Sequence, residues 1–515
     1  MLAPGYELTN EELAAPSTPH RKVLRTLGVH QGIEHTSEAQ HNAMKHTIRH
    51  ALHLLRESPL SQDLAIDERR IAAKICGFMS DHAPDARKAG RLGKDWKISS
   101  DRQLRGEPLF EKLDLKEQEQ QLIEEMTTHL ADDQEFQDLD VDAQERVKLL
   151  AYEAIITRLG EQSFDKLTEA EKQDIDFAPQ SHCGMHKDQL WVRHGATGMA
   201  GVYSECEIPT PMELPNAFQV SAVLKDQQLP ADDSTKKRTK SEPARGGVKL
   251  TTLCGALFNN PNEKKGEKDV WKDWMETQLG YRIALPDTGS TRFGSHCDCA
   301  ACLLLHRTLF VRYLEEMRDL KASGEFVNIE HNIYLALQDG PTLTELAVLA
   351  LFAQAISHPF MVYVRSSGMN ALDQAPLYDR VQAHLRKLID EPGLLTGNQA
   401  SASSGSLFGE HWTQPEIVHC IQAMNSAGEL PHLDVVLCAF LRASLASIPA
   451  TIPEFAEGGE IAVSTPRKRK RAAIEQTNDS CERAIGQARR AKHLRARESD
   501  PVSYTHLTLP TTPYV

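Results

Sequence analysis

A short segment near the middle of the chain concentrates side chains that could do chemistry. Residues 181–195 read SHCGMHKDQLWVRHG and contain a Cys-x-x-His pair, Cys183 and His186, followed at once by Lys187 and Asp188. A thiol three residues from an imidazole can act as a nucleophile with its base. Because no segment that would supply an oxyanion hole or an orienting Asn is identifiable, we keep thiol catalysis only as an alternative.

A second candidate is an acidic turn upstream of this segment. Residues 71–79, IAAKICGFM, predict a short buried strand, and SDHAPD follows at 80–85. A carboxylate such as Asp81 at the end of a buried strand is held rigidly while it faces solvent, as a metal site requires. A structural interpretation stays open, in which Asp81 caps the next helix and Pro84 lies in its first turn.

A third pattern resembles a zinc site by its spacing alone. The side chains concerned are His296, Cys297, Cys299, Cys302 and His306. Residues 299, 302 and 306 share one face of a helix and could bind zinc. We favour small buried thiols on a packed helix, because free Cys behaves as a small apolar residue and no second cluster of comparable spacing exists.

The charge distribution limits the kinds of partner. The 515 residues carry a formal net charge of −14, which excludes a surface that is basic throughout. Any nucleic-acid contact must therefore come from local patches or from phosphates bridged by metal ions. The run RKRKR at 467–471 is such a patch, typical of a segment recognised by a nuclear-import receptor and of a loop that contacts phosphates. A solvated charged loop is the alternative.

Cysteine usage and hydropathy bear on the compartment. Ten cysteines and no signal-peptide pattern in the first residues predict free thiols in a reducing compartment. The most apolar run, 343–364, is interrupted by Glu345, Gln354, His358 and Pro359. Such residues are costly in a bilayer, so the run predicts a buried helix, and we expect no membrane partner.

The organisation of the chain follows from its periodicity. Apolar residues at helical spacing recur through most of it, and Ser37 three residues before Gln40 predicts a capping box. We predict six segments: N-terminal helices with a strand and the acidic turn (1–112), a helical insertion with the Cys-x-x-His segment (113–225), a disordered linker (226–247), a helical region (248–460), the basic run with a last helix (461–500), and a tail of different composition, interpreted as artefactual sequence (501–515).

The order of these motifs resembles that of a known family. An acidic turn with Asp81, the CGMHKD segment, the TRFGS segment with Thr291, Arg292 and Ser295, and TNDSCE with Glu482 occur in this order. Over roughly residues 25–490 the chain resembles fungal transposase-derived proteins related to hAT and Kyakuja/Dileera/Zisupton-like DDE elements. The resemblance implies a helix-rich α/β fold, with a partial RNase H-like core split by helical insertions and followed by a mostly α-helical region.

The resemblance also implies roles for particular residues. Asp81 and Glu482 would be catalytic carboxylates and ligands of Mg²⁺ or Mn²⁺, which prefer oxygen ligands. Cys183 and His186 would order the strand-to-helix junction beside that site, and Arg292 would contact a phosphate or an acidic partner. The remaining nucleic-acid-binding residues would be Arg467, Lys468, Arg469, Lys470 and Arg471.

Two departures from the family pattern limit the function. The family continues after Cys-x-x-His with Lys-Asp-Leu-Asn and Gly-Gly, whereas this chain has KDQLW at 187–191 and a single Gly195. No strand with an aspartate precedes Asp81 convincingly. The expected function is a fragment or degenerate copy of a DDE transposase, nuclear and DNA-binding, capable of self-association, which cuts and joins phosphodiesters only if intact. The alternative is a non-catalytic transposon-derived DNA-binding protein or protein-interaction scaffold.

Overall fold

Helices dominate the structure, a computed structural model. It describes residues 36–58, 67–130, 136–217, 219, 244–260, 267–288, 294–366 and 368–497. Of these described residues 72% are helical, and two short strands form a parallel pair. The prediction of a helix-rich chain is confirmed at this level.

The chain divides into two compact units. The terminal unit comprises Met1–Ser181 and Ser464–Val515, and the central unit comprises His182–Val463. The stretch with the basic run groups with the N-terminal residues. The terminal unit is therefore discontinuous in sequence.

The terminal unit contains the two-stranded sheet and a set of helices. Its elements are α1 (Ser37–Arg56), α2 (Glu68–Ala73), β1 (Phe78–Ser80), α3 (Pro84–Phe110), α4 (Leu115–Thr128), α5 (Val141–Asp165), α6 (Glu169–Ile175), β2 (Gln180–His182, whose last residue opens the central unit), α20 (Pro466–Ala472) and α21 (Asp479–Arg497), with a 3₁₀ turn at Phe136–Asp138.

Apart from His182 at the end of β2 and an isolated β-bridge between Glu213 and Arg245, the regular elements among the described residues of the central unit are helices. Its helices are α7 (Gly184–Glu205), α8 (Gly246–Phe258), α9 (Lys268–Leu279), α10 (Gly294–Leu305), α11 (Arg307–Leu320), α12 (Asn328–Ala336), α13 (Gly340–Phe352), α14 (His358–Ser366), α15 (Ala375–Asp390), α16 (Gly393–Thr396), α17 (Ala402–Gly405), α18 (Pro415–Ser426) and α19 (Leu433–Thr451). A π-helix at Ala353–Ser357 joins α13 to α14, and 3₁₀ turns lie at Ala371–Asp373 and Pro453–Phe455.

Close contact between two glycines and the facing backbones organises the terminal unit. A Cβ at Gly106 of α3 would lie 1.7 Å from the Ile156 carbonyl oxygen, and one at Gly160 of α5 would lie 1.8 Å from the Arg102 carbonyl oxygen. Only glycine permits backbones this close, so the two helices cross where each lacks a side chain.

The predicted strand at 71–79 is partly wrong. Residues through Ala73 belong to α2, which begins because the Asp67 side chain accepts a hydrogen bond from the Arg70 N–H at 3.0 Å. Lys97 Nζ then donates to the Ala73 carbonyl at 2.7 Å near the end of that helix. The strand is confirmed only at Phe78–Ser80.

Helix α1 begins one residue away from the predicted capping box. The N-cap is Thr36, whose Oγ1 accepts a hydrogen bond from the Ala39 N–H at 3.1 Å, and Ser37 is the first helical residue. The residue at N3 is Ala39, which cannot make the reciprocal side-chain bond, so the helix has a capped start one residue earlier than predicted and no capping box.

The core of the central unit surrounds α13 and the π-helix. Every residue from Thr342 to Ser357 is buried. Helix α7 packs on α19 through small residues, since a Cβ at Gly198 would lie 2.3 Å from the Ala443 Cβ. The helical stretch Gly340–Ser366 and helix α19 are each long and apolar enough to cross a membrane by length and composition, a test that core helices of soluble proteins also pass.

Part of the predicted linker is helical. Positions 226–243 lie outside the described residues, but α8 begins at Gly246, so the prediction is wrong for 246–247. The Gly247 N–H donates to Oε2 of the buried Glu345 at 2.7 Å, and a carboxylate stabilises a helix N-terminus. Burial raises the pKa of Glu345 to about 7 despite this bond. The tail at 501–515 also lies outside the described residues.

Candidate functional site

Asp81 lies in the turn between β1 and α3. Its Oδ1 accepts a hydrogen bond from the Ala83 N–H at 3.0 Å, and Pro84 is the first residue of the helix. Ala83 is the N-cap and makes no side-chain cap bond. Asp81 therefore stabilises the turn, which is a common role of Asp. The structural interpretation had made Asp81 the N-cap, but it lies two residues before the N-cap.

Glu482 lies in the first turn of α21 and is exposed to solvent. Its Oε1 accepts a long hydrogen bond, 3.4 Å, from Nδ2 of Asn478. Asp81 and Glu482 both belong to the terminal unit. A carboxylate at a helix N-terminus is stabilising, so the position of Glu482 has a sufficient structural explanation.

The described residues do not offer the ligand set of a two-metal site. Among them no group of three or more His, Cys, Asp or Glu side chains is placed to hold a metal ion. Two-ion catalysis of phosphodiester cleavage needs several carboxylates around a shared pair of ions. Asp81 and Glu482 belong to no such group among the described residues, so a site for Mg²⁺ or Mn²⁺ at these two residues stays a prediction.

The basic run is helical rather than a loop. Helix α20 begins after Thr465, whose side chain accepts a hydrogen bond from the Lys468 N–H, with Pro466 at its first position. Arg469 and Arg471 are held within the terminal unit: Arg469 Nη1 donates to the Ser464 carbonyl at 2.6 Å, and Arg471 bonds Asp174.

The other three cations of α20 face solvent to different degrees. Arg467 and Lys470 are exposed, and Lys468 is half-buried. None of the three side chains forms an ion pair with a carboxylate of the described residues, in contrast to Arg471, which lies 2.7 Å from Asp174 Oδ2. The helix therefore presents uncompensated positive charge.

The Cys-x-x-His segment lies where β2 leads into α7. Cys183 is the single residue between β2 and α7, and it is fully buried. His186 lies in the first turn of α7 and is half-buried. A thiol enclosed in this way is inert as a nucleophile, so the geometry gives no support to thiol catalysis. Thr291 and Arg292 lie outside the described residues, and Ser295 Oγ donates to the Asp287 carbonyl at 2.7 Å.

The zinc-like spacing on α10 corresponds to packing residues. Cys297 and Cys299 are buried, and burial raises the pKa of both thiols well above the usual value, with the nearby Asp188 and Asp298 charges adding to the effect at Cys297. His296 is buried too, with Nδ1 2.7 Å from Thr251 Oγ1. Protonated thiols of this kind behave as small apolar side chains.

The most completely buried charged side chain among the described residues of the central unit is on α7, one turn after Cys183. Lys187 is completely buried, and its Nζ donates to Glu454 Oε1 at 2.6 Å and to the Tyr378 hydroxyl at 2.9 Å. Glu454 Oε1 also accepts the His182 N–H at 3.2 Å. Burial alone would lower the pKa of Lys187, but the Tyr378 and Glu454 groups outweigh it and raise that pKa.

The next residue, Asp188, has a different environment. Its Oδ1 accepts a hydrogen bond from the Ser357 hydroxyl at 2.7 Å, and no cation of the described residues bonds it directly. Burial raises the pKa of Asp188 to about 6, although the Ser357 bond and the His358 charge oppose the shift. An acid whose pKa lies near neutrality is typical of functional sites and also of buried structural networks.

The π-helix supplies the partners of Asp188. A π-turn holds one residue more than an α-turn and occurs frequently at functional sites. Gln354 Oε1 accepts the Gln414 N–H at 2.9 Å, so its Nε2 donates to His358 Nδ1 at 3.2 Å. His358 Nε2 then donates to Asp298 Oδ1 at 2.8 Å.

The sequence interpretation singled out Cys183 and His186 and did not predict the buried polar cluster around Lys187 and Asp188. Two signals were present: the charged pair at 187–188 inside an apolar helix, and the interruption of an apolar run at Gln354 and His358. The partner Glu454 lies 267 positions from Lys187 and gives no local signal.

Comparison with known proteins does not assign this chain to a class of protein. No protein-family model, no curated protein and no solved structure matches this chain.

Proposed function

We propose that this protein is a transposase-derived DNA-binding protein that contacts the phosphate backbone through α20 and does not cut DNA. The observation that carries the proposal is the helical presentation of Arg467, Lys468 and Lys470 without carboxylate partners among the described residues. Most hydrogen bonds between proteins and DNA go to phosphate and sugar, and such contacts supply affinity rather than sequence preference.

The distribution of charge along the chain supports this proposal. Residues 466–497 hold eleven lysines and arginines against three acidic residues, a net charge of +8. The whole chain carries −14, so the remainder carries −22. A strongly basic segment in an acidic protein directs a polyanion to one place and repels it from the rest of the surface.

The transposase ancestry rests on the order of the motifs in the sequence. In this proposal β1 and β2 are what the described residues retain of an RNase H-like sheet. The residues that would bind metal in a complete enzyme, Asp81 and Glu482, serve a turn and a helix start instead. A copy that has lost catalysis keeps its DNA contacts and becomes a binding protein or a scaffold, which can also self-associate.

The proposal places the protein in the nucleus. The five cations of α20 form the kind of short basic segment that import receptors bind. A fluorescent fusion of the full chain should accumulate in the nucleus, and a fusion carrying Arg467→Gln, Lys468→Gln and Lys470→Gln should not. Equal nuclear accumulation of both fusions would remove the role in import.

The salt dependence of DNA binding tests the proposal directly. Each phosphate contact contributes about −0.9 to the slope of log K against log salt concentration. The triple variant Arg467→Gln, Lys468→Gln, Lys470→Gln should therefore bind a labelled DNA duplex more weakly, with a slope that is smaller in magnitude by about 2 to 3. Fluorescence anisotropy at several salt concentrations measures both quantities.

A matched variant controls for the loss of three charges. Lys112, Lys116 and Lys166 are exposed on the terminal unit. The variant Lys112→Gln, Lys116→Gln, Lys166→Gln changes the net charge equally and should leave the slope unchanged. If both triple variants lose affinity to the same extent, binding depends on total charge and α20 is not the contact.

Cleavage is tested separately. Duplexes that carry candidate terminal inverted repeats are incubated with Mg²⁺ and the intact chain, Asp81→Ala or Glu482→Ala. We expect no nicking or strand transfer by any of the three. Nicking by the intact chain that both substitutions abolish would establish a metal-dependent transposase and overturn the non-catalytic part of the proposal.

A further inference from the structure

A second basic site lies in the central unit, remote in sequence from α20. A cavity of about 360 Å³ separates one face of α15 from the loop that contains α17. Arg380, His384 and Lys387 lie on that face at i, i+4 and i+7, and Ser403 and Ser404 line the opposite wall. The spacing places the three basic side chains along one stripe of the helix.

Contacts from α15 hold the serine loop in place. His384 Nε2 lies 2.9 Å from the Gly405 carbonyl oxygen, and Lys387 Nζ donates to the Ser404 carbonyl at 2.9 Å. An ammonium group has three donors, so two remain on Lys387 for a ligand. The hydroxyl of Ser401 lies 3.0 Å from that of Ser403, which adds rotatable donors beside the cavity.

Arg380 is positioned by an aromatic pair. Its guanidinium lies 4.8 Å from the centroid of the Phe408 ring, and Tyr363 stacks on the same ring at 5.1 Å. A cation over an aromatic face is attracted by the ring, which restricts the guanidinium without using its N–H donors. The donors of Arg380 therefore stay available.

The described residues that line the cavity supply no counter-charge. Neither Arg380 nor Lys387 forms an ion pair with a carboxylate of the described residues, and no acidic side chain lines the cavity. Burial lowers the pKa of His384, the Gly405 bond opposes this, and the charges of Lys387 and Arg380 lower it further. The cluster is a positive site that an anion would complete.

We propose that this cavity binds a phosphate group. A tetrahedral phosphate needs donors from several directions, which the guanidinium of Arg380, the ammonium of Lys387 and the loop hydroxyls supply together. The volume exceeds that of a phosphate alone, so the group can belong to a small ester or to the backbone of a nucleic acid. The site does not depend on DNA binding by α20.

Calorimetric titration of the full chain with inorganic phosphate tests the proposal. We expect saturable binding, weakened at least about tenfold in the double variant Arg380→Gln, Lys387→Gln, because a bond to a charged group contributes about a factor of ten. The matched control is Arg386→Gln, Arg442→Gln, which removes two exposed cations from the same unit. No binding by the intact chain, or equal binding by the two variants, would overturn the proposal.

Two further ligands distinguish the source of the phosphate. Glycerol phosphate represents a small ester, and a labelled DNA duplex represents the backbone. If the cavity binds esters, glycerol phosphate binds the intact chain and the double variant keeps its full affinity for DNA. If it binds the backbone, the double variant lowers the salt slope of DNA binding by about 1 to 2 while α20 is intact. Either result upholds a phosphate site.

A spectroscopic measurement on the intact chain tests the site without relying on the folding of the double variant. A phosphate dianion beside His384 would raise the pKa of that imidazole from its depressed value. In the intact chain labelled with ¹³C-histidine, the His384 resonance, assigned by its loss in His384→Gln, should titrate at higher pH when phosphate is present. An unchanged titration at saturating phosphate would rule the site out.

Discussion

Each of the two units buries a cation, and the partners differ. In the terminal unit, the side chain of Arg102 is 3% exposed and bonds Asp101, Glu161 and Asp176, which are 16%, 48% and 30% exposed. In the central unit, the fully buried Lys187 has one carboxylate, Glu454, which is 4% exposed. The carboxylates that bond Arg102 are therefore partly solvated, whereas Lys187 and Glu454 are both enclosed by protein.

The difference predicts which ion pair destabilises its unit more when one partner is removed. A carboxylate that remains part-exposed can be solvated when its cation is removed, whereas a fully enclosed partner is left as an uncompensated charge. Arg102 also lies 3.3 Å from the centroid of the Phe164 ring, which gives it a contact that does not depend on any carboxylate. Lys187 lies within 4.6 Å of the Tyr378 ring centroid, but it needs Glu454 for charge balance.

The largest expected effect is that of breaking the enclosed pair. Glu454→Leu leaves Lys187 charged and unpaired, and we expect the central unit to lose about 3–5 kcal/mol of unfolding free energy. Hydrogen exchange measured by mass spectrometry reports this loss in peptides from α7 and α19 and separates it from the terminal unit. The double variant Lys187→Met, Glu454→Leu removes both charges and should recover most of the loss. If the single variant is as stable as the intact chain, the pair is not the anchor of α7.

The next effect concerns the neighbouring acid. Because the folded-state pKa of Asp188, about 6, exceeds its unfolded value of 3.8, its contribution to stability is fully present below pH 3.8 and is lost as pH rises through 6. Asp188→Asn should therefore stabilise the central unit at pH 8, by up to about 3 kcal/mol, and change little at pH 4. Urea denaturation followed by tryptophan fluorescence at the two pH values measures the difference.

The control for this prediction is Ser357→Ala. That variant removes the only direct hydrogen bond to Asp188 Oδ1 among the described residues and should raise the pKa of the acid further. The fall in stability with rising pH should then continue to a higher pH. A pH dependence identical in Asp188→Asn and the intact chain would contradict the assignment.

The smallest effect is expected in the terminal unit. Arg102→Met keeps much of the side-chain volume and leaves three carboxylates that reach water, so we expect a loss of about 1–2 kcal/mol. Exchange in peptides from α3 and α5 measures it. A loss as large as that of Glu454→Leu would mean that exposure of the partners does not decide the outcome.

Local signals in the sequence predicted the helices well and the strand poorly. Caps such as Thr36 and Asp67 act within three residues, so they can be recognised from a short window. The strand at 71–79 failed because Asp67 starts a helix that runs into the apolar residues. The basic run was expected as a loop, but the Thr465 cap and Pro466 were the signals for a helix.

The sequence pointed to the segment that holds the buried polar cluster, but not to the residues that form the cluster. The Cys-x-x-His segment does form the strand-to-helix junction, yet the buried charges follow it at Lys187 and Asp188. Their partners Glu454 and Ser357 are distant in sequence, and a single sequence holds no record of such pairs. Burial, which makes these groups consequential, depends on the complete packing of the central unit.

The discontinuity of the terminal unit has a consequence for synthesis on the ribosome. Ile474 packs against the position of Gly77, where an added Cβ would lie 2.6 Å from Ile474 Cδ1. That contact forms only after the whole of His182–Val463 has been translated. The apolar surface of the nascent N-terminal residues that Ile474 covers therefore stays exposed while the intervening unit is synthesised and folds. This interval is when a chaperone would be needed most.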